Sequence, residues 1–164
     1  IVLPASVTAG EVLSLQPDGL MLSNGPGDPA ECLEQIETLR QLAGRLPTFG
    51  ICLGHQLLAL ALGAKTGKLK YGHRGGNQPV KDLLTGRTYV TSQNHGYAVR
   101  SDTLPCGRLR FVNANDQTCE GIDYPEINAF TVQFHPEARS GPHDCNFLFD
   151  RFFEQMGVST HAAQ

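Results

Sequence analysis

A single cysteine stands between two glycines where one short apolar stretch gives way to another. The segment reads Phe49-Gly-Ile-Cys-Leu-Gly-His-Gln56, with a strand-like stretch before the cysteine and an apolar, helix-like run, 53–62, after it. A nucleophile on a sharp strand-to-helix turn, with a glycine two residues to either side, is the arrangement called a nucleophile elbow. We therefore predict that Cys52 is a catalytic nucleophile. The alternative is an inert buried cysteine, the commonest fate of a free one.

The start of the predicted helix favours the reactive form of that sulfur. Unpaired backbone N–H groups and the positive end of the helix dipole stabilise a thiolate, and any oxyanion formed beside it. The Leu53 N–H and an amide of the Gly25-Pro-Gly27 loop are the predicted oxyanion hole, because glycine lets the backbone approach a substrate oxygen. The alternative is that Gly25 and Gly27 only shape a turn.

A cysteine nucleophile needs a base, and the base needs a group that orients it. His135 ends the apolar strand 129–134 and is followed by Pro136 and Glu137. Residues two apart in an extended segment point the same way, so Glu137 can hold one ring nitrogen while the other faces the cysteine. The alternative is a strand-end histidine beside an ordinary solvated carboxylate.

The other histidines are weaker candidates for the base. His55 lies a full turn past the cysteine, as expected of a helix residue that faces a polar neighbour. His73 and His143 lie in turn-rich segments, and His161 is close to the last residue. A zinc hydrolase that used His55 with the predicted base and carboxylate is possible on residue types, but the spacing matches no known ligand motif.

Two strand–loop–helix units in succession must position these residues. The first comprises a strand at 19–22, the loop 23–29 and a helix that is capped by Asp28 and carries an apolar stripe to Leu42. The second is the elbow. Such units predict a parallel sheet covered by helices, with ligands at the carboxyl ends of its strands, so loop and elbow should share one rim.

The pattern differs on both sides of these units. Residues 1–3 read as a strand remnant, and Thr8 as the cap of a short helix. Short strand-like stretches between 65 and 92 predict separate hairpins, and further strands follow at 109–112, 120–122 and 129–134. The cluster Gln93-Asn-His-Gly-Tyr97 ends one of these strands, and on residue types alone it can be an ordinary loop. A last helix, 144–156, should bury four apolar side chains: Phe147, Leu148, Phe152 and Phe153.

Length and composition limit the number of domains and the classes of protein to which this chain can belong. A chain of 164 residues suits one domain with a real core, which we place at 1–157 with a frayed tail at 158–164. The net charge of −3 gives no reason to expect nucleic acid, and no apolar run approaches a membrane span. Five scattered cysteines suggest neither a disulfide framework nor a paired metal motif, so we expect a reducing cytoplasm and no metal.

Together the motifs resemble those of the class I (triad-type) glutamine amidotransferases. The family pattern is seen at Asn24-Gly-Pro-Gly-Asp28, at 50–56 and at Phe134-His-Pro-Glu137. The branch that supplies the small chain of carbamoyl-phosphate synthetase is more similar still. The stretches that resemble this branch are 23–29, 50–60, 63–66, 73–77, 93–99 and 141–144.

The resemblance implies an α/β, flavodoxin-like fold: a mostly parallel central sheet with flanking helices, and a strand-rich antiparallel part after residue 63. It also implies that Cys52 attacks the side-chain amide of glutamine to give a glutamyl thioester and ammonia, with His135 as base and acid and Glu137 orienting it. The implied glutamine-binding residues are Gly25, Gly27, Leu53, Gln56, Asn94, Gly96 and Tyr97.

The resemblance further implies a partner. Ammonia would pass through an internal channel to a large synthetase chain, which joins it to bicarbonate for arginine or pyrimidine synthesis. ATP and magnesium are expected on that partner, and no cofactor in this chain. Tyr97 stands where many relatives carry Phe, and a main-chain contact would survive this change.

The family's small chain also has an N-terminal domain that supplies a serine contact to glutamine, and its amidotransferase domain begins with a strand and helix that would precede Ile1. We expect that strand between the strand at 1–3 and the strand at 19–22 or 49–51. Either the chain is a fragment, or the sequence is only part of a longer polypeptide. The alternatives are the glutaminase subunit of guanylate or anthranilate synthesis, a γ-glutamyl hydrolase, and a truncated, inactive interaction module.

Overall fold

Strands and helices follow one another as the apolar stretches of the sequence indicate. The computed structural model describes residues 1–137 and 145–158. The strands are β1 Leu20–Leu22, β2 Thr48–Ile51, β3 Thr66–Asp82, β4 Thr88–Val99, β5 Arg108–Asn113, β6 Cys119–Tyr124 and β7 Ala129–Val132. The α-helices are α1 Ala9–Ser14, α2 Leu33–Leu42, α3 Leu53–Ala61 and α4 Phe147–Gln155.

The strands form one mixed sheet in the order β1-β2-β7-β6-β5-β3-β4. β1, β2 and β7 are parallel, and Leu22 lies opposite Gly50 while Ile51 lies opposite Val132. The remaining strands pair antiparallel. The predicted α/β class is confirmed. The mostly parallel sheet that we expected is limited to these three strands, and the antiparallel part extends the same sheet.

This order sets which loops meet. The loop after β1, the elbow after β2 and the segment after β7 all leave the carboxyl ends of parallel neighbours, so they lie on one rim of the sheet. The shared rim predicted for the glycine loop and the elbow is confirmed, and β7 adds His135 to it.

The region after α3 is less divided than we predicted. Instead of several short hairpins, β3 and β4 form one long hairpin with register shifts between Lys68 and His73 and between Gly75 and Gln78. Gly72 and Gly75 have φ values of 71° and 106°, which lets the strand bulge there and then resume its pairing. The glycines that suggested turns therefore interrupt one strand without ending it.

The first residues are not in a strand, and the strand remnant predicted at 1–3 is wrong. Ile1 and Val2 are both 98% exposed. β1 pairs directly with β2, so the sheet has no vacant position between those two strands. The predicted cap of α1 is confirmed: Thr8 accepts from the Glu11 N–H, and the Glu11 carboxylate accepts from the Thr8 N–H at 2.8 Å.

The helix predicted from Asp28 is split in two. The Asp28 carboxylate accepts from the Ala30 N–H at 3.0 Å and caps a short 3₁₀ helix, Pro29–Glu31. α2 begins only after Cys32, whose ψ of 54° interrupts the helical backbone. Ile36, Leu39 and Leu42 of the predicted apolar stripe are buried, whereas Leu33, at the first position of α2, is 71% exposed.

Aromatic rings fill the core behind the elbow. The ring of Phe49 on β2 stacks on Phe130 of β7 with the centroids 4.3 Å apart, and Leu148 and Phe152 of α4 cover them. The predicted inward positions of Phe147 and Phe153 are wrong, since these side chains are 37% and 45% exposed. They flank the buried stripe, because residues one apart on a helix face different directions.

Some predictions fall outside the described residues. They concern the motif at 141–144 with its histidine, the start of the last helix at residue 144, and the tail beyond Val158. No helix in the described part of the chain is long and apolar enough to cross a membrane.

Candidate active site

Cys52 joins β2 to α3 in a backbone conformation that side chains other than glycine rarely adopt. Its φ is 53° and its ψ is −105°. Its N–H donates to the Val132 carbonyl of β7 at 2.8 Å, and its carbonyl accepts from the Gln56 N–H at 3.2 Å. Strain of this kind costs about 1–3 kcal/mol and persists only where the surroundings enforce it. The sharp strand-to-helix turn expected of a nucleophile elbow is therefore present.

The two flanking glycines are required by close packing. A Cβ on Gly54 would lie 2.5 Å from the carbonyl oxygen of Leu22, and a Cβ on Gly50 would lie 2.9 Å from Thr131 Cγ2. Both glycines have negative φ values, so the reason is lack of space and not an unusual backbone. The elbow thus packs closely against the end of β1 on one side and against β7 on the other.

His135 follows β7 and is held from three sides. Its N–H donates to the Ser92 carbonyl of β4 at 2.9 Å. Its ring Nδ1 donates to Glu137 Oε1 at 2.8 Å, and the ring also hydrogen-bonds the Cys52 side chain. Since Nδ1 is engaged by the carboxylate, Nε2 is the nitrogen left for the sulfur. The side-by-side placement predicted for His135 and Glu137 is seen, and the three side chains of the predicted triad lie together.

These contacts change the proton affinity of the site. Hydrogen bonds with Cys52 and with Glu137 raise the pKa of His135 to about 10, against the opposing effect of burial. Burial acts to raise the pKa of Glu137, but the hydrogen bond and the charge of His135, together with a backbone hydrogen bond, hold that pKa below its ordinary 4.5. At neutral pH the ring is therefore an imidazolium beside the sulfur, able to give a proton to a leaving group.

The His135–Glu137 pair should stabilise the fold in a defined pH window. A histidine with a pKa raised from 6.5 to about 10 contributes stability that is complete below pH 6.5 and is lost as the pH rises through 10. A carboxyl with a lowered pKa contributes stability above pH 4.5 that is lost on acidification. The difference in melting temperature between the parent and Glu137→Gln should therefore be largest between pH 4.5 and 6.5 and should shrink toward pH 10. A difference that grows with pH would contradict this assignment.

The glycine loop lies against the start of α3. A Cβ on Gly25 would lie 2.6 Å from Leu53 Cδ2, and Gly27 has a φ of 100°. The first N–H groups of a helix have no acceptor within the helix, so the Leu53 N–H is available to a ligand. The loop and this N–H are thus neighbours beside Cys52, as an oxyanion hole requires.

The segment Asn94–Tyr97 of β4 contacts α3 through Gln56 and the glycine loop through Asp28. The Tyr97 carbonyl accepts from Gln56 Nε2 at 2.8 Å, and His95 Nδ1 lies 2.8 Å from the same oxygen. A hydrogen bond with the Asp28 carboxylate raises the pKa of the Tyr97 hydroxyl and connects this segment to the glycine loop. Asn94 is exposed, while Gly96 and Tyr97 are half-buried.

Gln56 lies deeper than the other predicted glutamine ligands. It is 3% exposed, and its Nε2 also donates to Gln133 Oε1 at 2.8 Å. Its amide hydrogens therefore bind protein acceptors and hold α3 against β4. The structure thus brings Gly25 against Leu53, which follows Cys52, and joins Tyr97 to the buried Gln56 and to Asp28.

Sequence reasoning missed a buried polar cluster behind this site. Among the described residues, one group brings possible metal ligands within 4.8 Å of one another: His73, His95 and Glu120. The signal in the sequence was Glu120, a carboxylate in the predicted strand 120–122, whose other two residues are Gly121 and Ile122. The zinc alternative based on His55 has no such group in the described part of the chain. The His55 ring is fully buried beside Thr131 Oγ1 at 2.7 Å, and burial lowers its pKa to about 3.

Comparison with known proteins agrees with this geometry. The model of the family "Glutamine amidotransferase class-I" matches residues 1–155. The carbamoyl phosphate synthase small chain of Fusobacterium nucleatum is 55% identical over 158 residues, which are 95% of this chain and 44% of the relative. The carbamoyl phosphate synthase pyrimidine-specific small chain of Bacillus subtilis is 56% identical over 156 residues, which are 95% of this chain and 43% of the relative.

The solved structures extend the likeness in fold. A protein from Thermoplasma acidophilum, provisionally described as part of a GMP synthase, superposes with a TM-score of 0.80 at 23% identity. The match covers 96% of this chain and 80% of that one. The chain spans less than half the length of the curated relatives it matches.

Proposed function

The chain belongs to the class I glutamine amidotransferase family, and from that premise we propose that it is the glutaminase component of a carbamoyl-phosphate synthetase. The observation that carries the proposal is the hydrogen-bonded series of Cys52, His135 and Glu137 on a strained elbow. The names of relatives at about 55% identity support the choice of this branch.

The geometry supports a two-stage hydrolysis of glutamine. The Cys52 thiolate attacks the carbonyl carbon of the side-chain amide, and the resulting oxyanion is stabilised by the Leu53 N–H and the glycine loop. The His135 imidazolium then protonates the departing nitrogen, the C–N bond breaks, and ammonia and a glutamyl thioester are formed.

The second stage returns the enzyme to its starting state. His135, now neutral, takes a proton from water as the water attacks the thioester carbon. The C–S bond breaks, glutamate leaves, and the sulfur and the imidazolium are restored. Glu137 keeps Nδ1 protonated throughout, so that Nε2 always faces the reacting atoms.

The partner and setting belong to the same proposal. Ammonia is delivered through an internal channel to a large synthetase chain, which holds ATP and magnesium and uses bicarbonate. This chain itself holds no cofactor or metal, and the assembly works in the cytoplasm. The large-chain partner is supported by the relatives, which are named as small chains of that synthase.

An assay of two products tests the proposal. The chain alone should release glutamate and ammonia from glutamine in equal amounts. A large synthetase chain should accelerate glutamate release, because it consumes the ammonia. Hydrolysis that a synthetase chain leaves unchanged would favour a free-standing hydrolase on the same scaffold. Loss of both products in a folded protein would mean an inactive interaction module.

A further inference from the structure

The buried polar cluster behind the active site is built around His73. His73 of β3 lies opposite His95 of β4 in register, and their rings meet edge to face with centroids 4.9 Å apart. Ring Nδ1 of His73 is 2.9 Å from Gln93 Oε1 and 3.0 Å from Glu120 Oε1, and ring Nε2 is 2.9 Å from Asp116 Oδ2. We call His73, Gln93, His95, Asp116 and Glu120 the His73 cluster.

Acceptors beside both ring nitrogens favour the doubly protonated form of His73. The Asn113 amide nitrogen also lies 3.5 Å from Nδ1. A hydrogen bond with Glu120, followed by one with Asp116, raises the pKa of His73 to about 9. Glu120 is 0% exposed, and its Oε2 has no hydrogen-bond partner. Burial raises the pKa of Glu120 to about 7, against the opposing hydrogen bond with His73, so the protonated His73 ring is the group that stabilises a negative charge on Glu120.

Gln93 connects the His73 cluster to the segment Asn94–Tyr97 of β4. Gln93 Oε1 accepts from His73 and lies 3.0 Å from His95 Nε2, while Gln93 Nε2 donates to Thr91 Oγ1 at 3.1 Å. His95 Nδ1 is in turn 2.8 Å from the Tyr97 carbonyl. The contacts therefore run without a break from Glu120 on β6 to the main chain of Asn94–Tyr97.

The backbone of β3 adds a second contact to the same segment. A Cβ on Gly72 would lie 2.5 Å from the His95 carbonyl oxygen and 3.3 Å from Gly96 Cα. Gly72 directly precedes His73, so a displacement of the His73 ring also displaces the Gly72 backbone against residues 95 and 96. Because protein interiors are close-packed, such a displacement is passed on to the neighbouring atoms.

From these contacts we infer that Glu120 and His73 are positioning residues for glutamine binding. They act through Gln93 and His95 on the main chain of Asn94–Tyr97, and they touch neither Cys52 nor the reacting atoms. The inference rests on the proposed function and on the glutamine contacts that the family resemblance implies at Asn94, Gly96 and Tyr97. It predicts weaker substrate binding with unchanged chemistry when the cluster is broken, because Cys52 and His135 are held by β2 and β7.

Glu120→Gln tests this inference in the full chain. The change keeps the shape of the side chain and removes its charge. We expect KM for glutamine to rise about tenfold while kcat stays within about twofold. Asp116→Asn removes the outer, half-exposed partner of His73 and should give a smaller rise in KM, which keeps the test valid if the first variant does not fold.

Asp82→Asn is the matched control. Asp82 is a buried carboxylate at the other end of β3, paired with Arg110 at 2.7 Å and remote from the rim. It should lower the melting temperature as Glu120→Gln does and leave KM unchanged. A KM for Glu120→Gln equal to the parent value, with a fall in melting temperature like that of the control, would overturn the inference.

Two further outcomes overturn it. A loss of kcat at constant KM would place Glu120 in the chemistry, and a metal present in equimolar amount in the isolated protein and removed from it by Glu120→Gln would make the cluster a metal site. Failure of the proposed function is distinct from both, because the unsubstituted chain would then release no glutamate.

Discussion

Cys52→Ser should abolish glutamine hydrolysis while synthesis from added ammonia by the complete assembly continues. A serine hydroxyl is far less acidic than a thiol, and the imidazolium beside it cannot keep it ionised at neutral pH. The elbow itself is retained, because its geometry depends on Gly50 and Gly54 and on the bond to the Val132 carbonyl. The expected loss is therefore confined to the first stage of the reaction.

Two measurements check this expectation. Glutamate release should fall to background while ammonia-dependent turnover stays near the parent level, and equal loss of both would mean that Cys52 is structural. A glutamine-mimicking chloroketone should label Cys52 in the parent. Cys106→Ser is the matched control, since burial raises the pKa of the Cys106 thiol and the residue lies away from the rim. It should leave both labelling and hydrolysis unchanged.

His135→Asn should have the second largest effect. Removing the imidazole removes proton transfer to the leaving nitrogen, which is commonly worth about 10²–10⁴-fold in rate. Glu137→Gln should cost less, because the ring keeps its hydrogen bond with Cys52 and the His135 backbone N–H still donates to the Ser92 carbonyl. Only the carboxylate on Nδ1 is lost. The order of the two losses distinguishes the acid–base group from the group that orients it.

Steady-state kcat and the rate of Cys52 alkylation by iodoacetamide measure these effects separately. Alkylation needs the thiolate but no proton donor, so His135→Asn should slow it less than it slows glutamine hydrolysis. If Glu137→Gln lowers kcat as much as His135→Asn does, then Glu137 does more than orient the His135 ring.

The local features of the site could be predicted from the sequence. The glycines around Cys52 indicated a sharp turn, the Thr8 cap and the helix after it were found as expected, and the spacing of His135 and Glu137 placed their side chains together. Each of these depends on the backbone within a few residues, where bond geometry and steric exclusion leave few conformations.

Longer-range features were predicted less well. The glycines at 72 and 75 suggested separate hairpins, but pairing with β4 continues past them and makes one strand of 66–82. The apolar residues 1–3 suggested a strand, yet Ile1 and Val2 contact solvent. Apolar composition shows that a segment can pair, and only the availability of a neighbouring strand decides whether it does.

Residue types and short-range spacing establish the chemistry available to this chain: a cysteine on an elbow, a histidine and carboxylate two residues apart, and a glycine loop that precedes them. The pairing of distant strands then brings these groups together, because β7 lies beside β2 and carries His135 to Cys52, while β3, β4 and β6 enclose the His73 cluster. The physical reason is that side-chain direction follows from local geometry, whereas the neighbours of a strand are set by the free energy of burying the whole sheet.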